Sequence, residues 1–118
     1  MPGKLTTHVL DTAHGRPAGG LGLRLYRLDG ANATQIATAV TNADGRTAAP
    51  LLDGSAFTAG KYRLAFDVAA YFDKSGVTLP QTPFLDIVTI DFGIDDAGRH
   101  YHVPLLVSPY GYSTYRGS

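Results

Sequence analysis

The chain has 118 residues, ten basic and ten acidic side chains, no formal net charge and no cysteine. That length suits one domain spanning residues 1–118. The interspersed charges argue against nucleic acid or an anionic membrane as partner, and the missing cysteine excludes disulfides and thiolate chemistry. No apolar run approaches a membrane span, and the start lacks the apolar stretch of a signal peptide, so a cytoplasmic location is expected.

Residues 5–11, LTTHVLD, read as a strand. Leu5, Thr7, Val9 and Asp11 share one face; Thr6, His8 and Leu10 share the other. A loop follows over residues 12–20, punctuated by glycine and proline. Residues 21–28 form a second strand whose apolar phase shifts after Leu25, which predicts a bulge or an edge, with Arg24 and Arg27 toward solvent. A third strand over residues 34–41, with Ile36 and Val40 on one face, ends in Asn42-Ala43-Asp44-Gly45, a strong turn signature. Arg46 follows at once, its direction set by that turn. Residues 47–52 read as a short strand interrupted by Pro50.

Residues 61–68, KYRLAFDV, alternate most cleanly, with Tyr62, Leu64, Phe66 and Val68 inward. Residues 69–75 permit one or two helical turns, with Gly76 as the C-terminal cap. Residues 84–92, FLDIVTIDF, are apolar on both faces and read as a central strand or an interface. After a turn at residues 95–98, the chain ends in HYHVPLLVSPYGYSTYRGS. Tyr101, Val103, Leu105 and Val107 point inward from its first strand, His100, His102 and Pro104 outward, and residues 110–118 can form a second short segment. The fold class is therefore all-β: a two-sheet antiparallel sandwich of seven to eight strands with one short helix.

The chemistry is concentrated in few residues. Serines are few and there is no nucleophile elbow, so a Ser-His-Asp triad has no obvious nucleophile. His8, His100 and His102 could form a three-histidine zinc site, although Arg99 beside His100 disfavours a cation. A lone histidine on a strand is more often an ordinary half-buried or surface residue. The metal-free alternative gathers His8, Arg46, His102 and the Tyr115-Arg116 end. A neutral imidazole removes a proton from water, and an arginine stabilises the oxyanion formed when water attacks a carbonyl. A small, planar, polar amide or lactam suits that set.

The same residues carry a resemblance. LTTHVLD (5–11), GRPA (15–18), TNADGR (41–46), GKY (60–62), PFLDIVTIDF (83–92) and the terminal stretch 100–118 together resemble the transthyretin-related 5-hydroxyisourate hydrolases. The pieces run the length of the chain in order, and the Tyr115-Arg116-Gly117-Ser118 end is the most specific of them. The resemblance implies a transthyretin-like sandwich assembled as a homotetramer, a dimer of dimers, with active sites in the channel between dimers. It implies hydrolysis of 5-hydroxyisourate to 2-oxo-4-hydroxy-4-carboxy-5-ureidoimidazoline in urate degradation, with no metal and no cofactor. His8, Arg46 and His102 would be catalytic. His8, Arg46, Tyr115 and Ser118 would bind substrate. A different class, a transthyretin-like carrier of small ligands in the same channel, is the alternative; it would want an apolar channel lining.

Overall fold

A computed structural model describes residues 3–117. Its elements, in chain order, are β1 (Leu5–Asp11), β2 (Arg16–Pro17), β3 (Gly22–Asp29), β4 (Asn32–Val40), β5 (Gly60–Asp67), α1 (Val68–Lys74), β6 (Ile87–Ile94), β7 (Tyr101–Ser108) and β8 (Gly111–Thr114). Two four-stranded sheets result, in the orders β2-β1-β7-β8 and β4-β3-β5-β6. The all-β sandwich with one short helix thus stands. All pairings but one are antiparallel: β1 and β7 run parallel, from Leu5 opposite Tyr101 to Asp11 opposite Val107.

Alternation in sequence becomes the core because successive side chains of a strand point to opposite faces. In β1, Leu5, Thr7, Val9 and Asp11 are buried, and in β7 so are Tyr101, Val103, Leu105 and Val107. Leu23 and Leu25 of β3, Tyr62, Leu64 and Phe66 of β5, and Val88 and Ile90 of β6 meet them in the same cluster. Fully burying a side chain such as Phe66 or Leu105 stabilises the fold by roughly 2–3 kcal/mol before conformational entropy is counted. The helix closes one end, burying Val68, Ala69, Tyr71 and Phe72, and Gly76 follows it with φ at 91°.

Polar groups within this core are paired. Thr7 Oγ1 donates to the Val103 carbonyl at 2.7 Å, tying β1 to β7. The buried Asp11 carboxylate accepts from the His14 amide, from His14 Nδ1 at 2.6 Å and from the Tyr71 hydroxyl at 2.7 Å. Burial pushes Asp11 upward, but these donors prevail and hold its carboxyl below the ordinary 3.8. One carboxylate therefore anchors the end of β1 to the helix and to the following loop.

The shift in apolar phase within β3 is a register irregularity at Leu25/Tyr26 against β4. Other segments depart from their local sequence pattern. Residues 47–52 form no strand; the proline-broken stretch meets β1 at one isolated bridge, Leu52 with Leu5. Arg24 and Arg27 do not simply face solvent. Arg24 donates to both Asp67 oxygens at 3.0 Å, and Arg27 donates to the Tyr62 hydroxyl at 2.7 Å. The stretch 84–92 is not central: β6 begins at Ile87 and is an edge strand, with Ile87 and Phe84 exposed and Val88 and Ile90 buried. Apolar residues on both faces made it look interior, yet only one face has a sheet behind it.

Candidate functional site

The outer face of the β1–β7 pair carries the polar residues that alternation excludes from the core. Parallel register sets Thr6 opposite His102 and His8 opposite Pro104. Two histidines 94 positions apart in sequence thus stand on one face, one diagonal step apart.

Arg46 reaches this face through the turn at residues 42–45. The Asn42 side-chain oxygen accepts from the Asp44 amide at 2.9 Å and from the Arg46 amide at 3.2 Å. This is the self-bonding that makes asparagine a turn residue. Gly45 has φ at 75°, a left-handed conformation suited to glycine, and a Cβ there would strike the Val9 carbonyl. The gain is close approach: the Val9 amide donates to the Gly45 carbonyl at 2.8 Å, and His8 and Arg46 pair as a bridge. The exposed Arg46 then lines a hollow of about 190 Å³ with Thr6, Thr7, Thr47, Ala48 and Pro50. No carboxylate among the described residues makes an ion pair with it.

The histidines are held differently. His8 Nε2 lies 2.7 Å from the Asp44 carbonyl oxygen, which can only accept, so that nitrogen carries a proton and Nδ1 is the free nitrogen. His102 Nδ1 lies 2.9 Å from Thr6 Oγ1. Burial first, then the neighbouring Arg46 and His8, holds the half-buried His102 imidazole below the ordinary 6.5, with the Thr6 main chain opposing. At neutral pH His102 is therefore uncharged and has one basic nitrogen.

The chain end runs along the other side of β7. β8 pairs with β7 through Leu105 opposite Thr114, and the same register continues to a bridge between His102 and Gly117. The Gly117 amide donates to the His102 carbonyl at 2.7 Å. A Cβ on Gly117 would lie 2.6 Å from His102 Cδ2 and 3.1 Å from its Cβ and Cγ, so glycine is required here for space. Arg116 turns away: its guanidinium sits 4.2 Å above the Tyr101 ring and donates to the His100 carbonyl.

Of the residues expected at the site, the structure brings His8, Arg46 and His102 together. Tyr115 is 59% exposed and lines a slot between the sheet edges with Phe92, Tyr101 and Val103. No side-chain hydrogen bond among the described residues joins it to the cluster. Ser118 lies outside the described residues. His100 is exposed at a turn, and no group of three or more His, Asp or Glu among the described residues is gathered as metal ligands. Thr6 and Gly117 also border the site. Gly117 falls within the terminal motif, but nothing local in a threonine on a strand marks it as the partner of a histidine 96 residues away.

A two-sheet sandwich with a histidine–arginine cluster on one outer face is the class these features define. The model of the HIUase/Transthyretin family matches residues 5–117, and the chain belongs to that family. It is similar to 5-hydroxyisourate hydrolase 2 of Rhizobium meliloti (strain 1021), with 59% identity over 116 residues covering 98% of this chain and 97% of that protein. Among solved structures it resembles (S)-allantoin synthase, with 47% identity and a TM-score of 0.94; the match covers 99% of this chain but 44% of that one. It also resembles sea bream transthyretin in complex with thyroxine, with 35% identity and a TM-score of 0.86, covering 97% of this chain and 94% of that one.

Proposed function

We propose that this chain is a 5-hydroxyisourate hydrolase and that His8, Arg46 and His102 carry its chemistry. The observation that carries this reading is the meeting on one face of the neutral His102 imidazole and Arg46, which has no ion-pair partner among the described residues and lines a hollow of about 190 Å³. The near full-length similarity to a hydrolase of that name supplies the substrate.

In the proposed step, water attacks a ring carbonyl carbon. A C–O bond forms, the carbonyl electrons move onto oxygen, and an imidazole takes the proton from water. When the tetrahedral intermediate collapses, the ring C–N bond breaks and the same proton passes to the departing nitrogen. The net change is addition of one water and opening of the ring. Arg46 stabilises the developing oxyanion, which is worth most where water is excluded. His102, uncharged at neutral pH, has the lone pair that a general base needs. His8 holds its Nε2–H on Asp44 and leaves Nδ1 for the substrate or the water. The step draws on no cofactor. Tyr115 and Ser118 complete the substrate site in this proposal.

The hollow is open on one protomer, so the proposal includes a homotetramer in which a neighbouring copy closes it. The exposed edge strands β6 and β8, with Ile87 and Tyr112 uncovered, support association between copies. Light scattering that gives a fully active monomer would contradict it. The proposed location is the cytoplasm, tested by fractionating cells and following the activity.

A transthyretin-like carrier is disfavoured because the face offered to a ligand presents His8, Arg46 and His102 rather than apolar side chains. The deciding experiment generates 5-hydroxyisourate in situ and follows its ultraviolet decay with and without the protein. Decay no faster than the spontaneous rate refutes the reading.

A further inference from the structure

We propose that Thr6 is a positioning residue for the reaction: its hydroxyl accepts the Nδ1–H of His102, so that the Nε2 lone pair is the one offered to the substrate. Thr6 and His102 are direct partners in the parallel β1–β7 register, and their side chains meet at 2.9 Å. Thr6 makes no other side-chain hydrogen bond among the described residues, and it lines the hollow with Arg46.

A hydroxyl can donate or accept, so the contact alone allows two tautomers. In one, threonine donates to Nδ1 and the ring presents Nε2–H. In the other, the ring donates to threonine and presents a lone pair at Nε2. The placing of Arg46 favours the second. Arg46 lines the hollow with Thr6 on the face that carries His102, and a cation at this face favours a lone pair turned toward it over an N–H. The other titratable neighbour is His8, on β1; Arg116, on the tail, is engaged with Tyr101 and the His100 carbonyl. During the reaction the Nδ1–H bond to Thr6 persists while Nε2 gains and loses its proton. The partner therefore steadies the imidazolium and keeps the ring from turning. His8 has no comparable freedom, because a main-chain carbonyl already determines its tautomer.

The kinetic part of this inference rests on the hydrolase reading; the tautomer does not. Thr6→Val keeps the branched shape and removes the hydroxyl, whereas Thr6→Ser keeps the hydroxyl. Ring-nitrogen NMR of the uniformly labelled, substrate-free protein at pH 7.5 should show His102 protonated at Nδ1 in the wild type and in Thr6→Ser. In Thr6→Val a growing share should be protonated at Nε2. A wild-type ring protonated at Nε2, or identical spectra for wild type and Thr6→Val, overturns the assignment. In turnover of 5-hydroxyisourate, Thr6→Val should lower kcat by about 3- to 10-fold, the value of one hydrogen bond, with KM unchanged. Its acid limb should move to lower pH because the imidazolium has lost an acceptor. Thr6→Ser should recover to within about twofold. Equal loss in both variants would show a packing role and refute positioning. If the wild type itself fails to turn over, the hydrolase reading falls, and the NMR result still decides the role of Thr6.

Discussion

Gly117→Ala tests how the chain end meets the site. The added methyl would sit 2.6 Å from His102 Cδ2. Carbon atoms rest roughly 3.5 Å apart, so the tail or the ring must move by about 0.9 Å. The tail is the softer side: at Gly117 itself, among the described residues, it is held by the amide bond to the His102 carbonyl, with Arg116 beside it on Tyr101 and the His100 carbonyl. Losing that bond costs about 1 kcal/mol, or about 4 °C in Tm for a chain of this size. The core does not feel the change, because Val103, Leu105 and Val107 lie on the opposite face of β7. Catalysis should feel it more. A misplacement near 1 Å costs about 100-fold in rate, and the displaced group is either the His102 ring or the end expected to close the site. The assay pairs thermal unfolding with decay of 5-hydroxyisourate. The expected result is a Tm within about 5 °C of wild type and kcat lower by about 100-fold. Wild-type kcat in Gly117→Ala would refute the reasoning, since the tail would then have moved without consequence.

Arg46→Gln should fold normally, within about 0.5 kcal/mol of wild type because the side chain is exposed, yet lose about 100-fold or more in kcat through the missing oxyanion partner; unchanged kcat would remove Arg46 from the mechanism. Asp11→Asn should destabilise the protein by about 3 kcal/mol, as it disrupts a buried charge with two side-chain donors. The folded carboxyl titrates below 3.8, so its contribution is present above 3.8 and is lost as pH falls through the folded value; denaturant titrations of wild type and Asp11→Asn should therefore converge in strong acid, and a constant difference down to that range would exclude the network as the cause. A few residues appended after Ser118 should abolish turnover while circular dichroism still shows a β fold; a tagged enzyme with unchanged kinetics would show that the end is dispensable. Turnover should survive exhaustive chelation, and loss that zinc restores would favour the three-histidine alternative.

Much of the site was legible in the residues because its components are local. The turn at residues 42–45 is written in Asn42 and Gly45, and it delivers Arg46 whatever else the chain does. His102 could be assigned to the outer face from the apolar residues on either side of it. Tyr115 could not be placed in the same way. It follows the last regular pairing of β8, where exposure and contact depend on what lies beside the edge.

The sequence by itself determined which face β1, β5 and β7 turn inward, because side-chain direction along a strand depends only on parity; β4, by contrast, leaves Ile36 and Val40 exposed and packs Ala37 and Ala39 on the core. It determined the bulge near Leu25, the helix after β5 and the turns, since each follows from the conformational limits of a few adjacent residues. Tertiary structure alone decided which strands are neighbours. β1 and β7 are separated by most of the chain and pair in parallel, a choice made by the burial of both inner faces against the other sheet. That pairing puts Thr6 against His102, and the edge position of β6 likewise follows from the order of strands rather than from its own apolar pattern. Local conformation is set by each residue and its neighbours. Proximity across 96 residues is set by the packing of the whole.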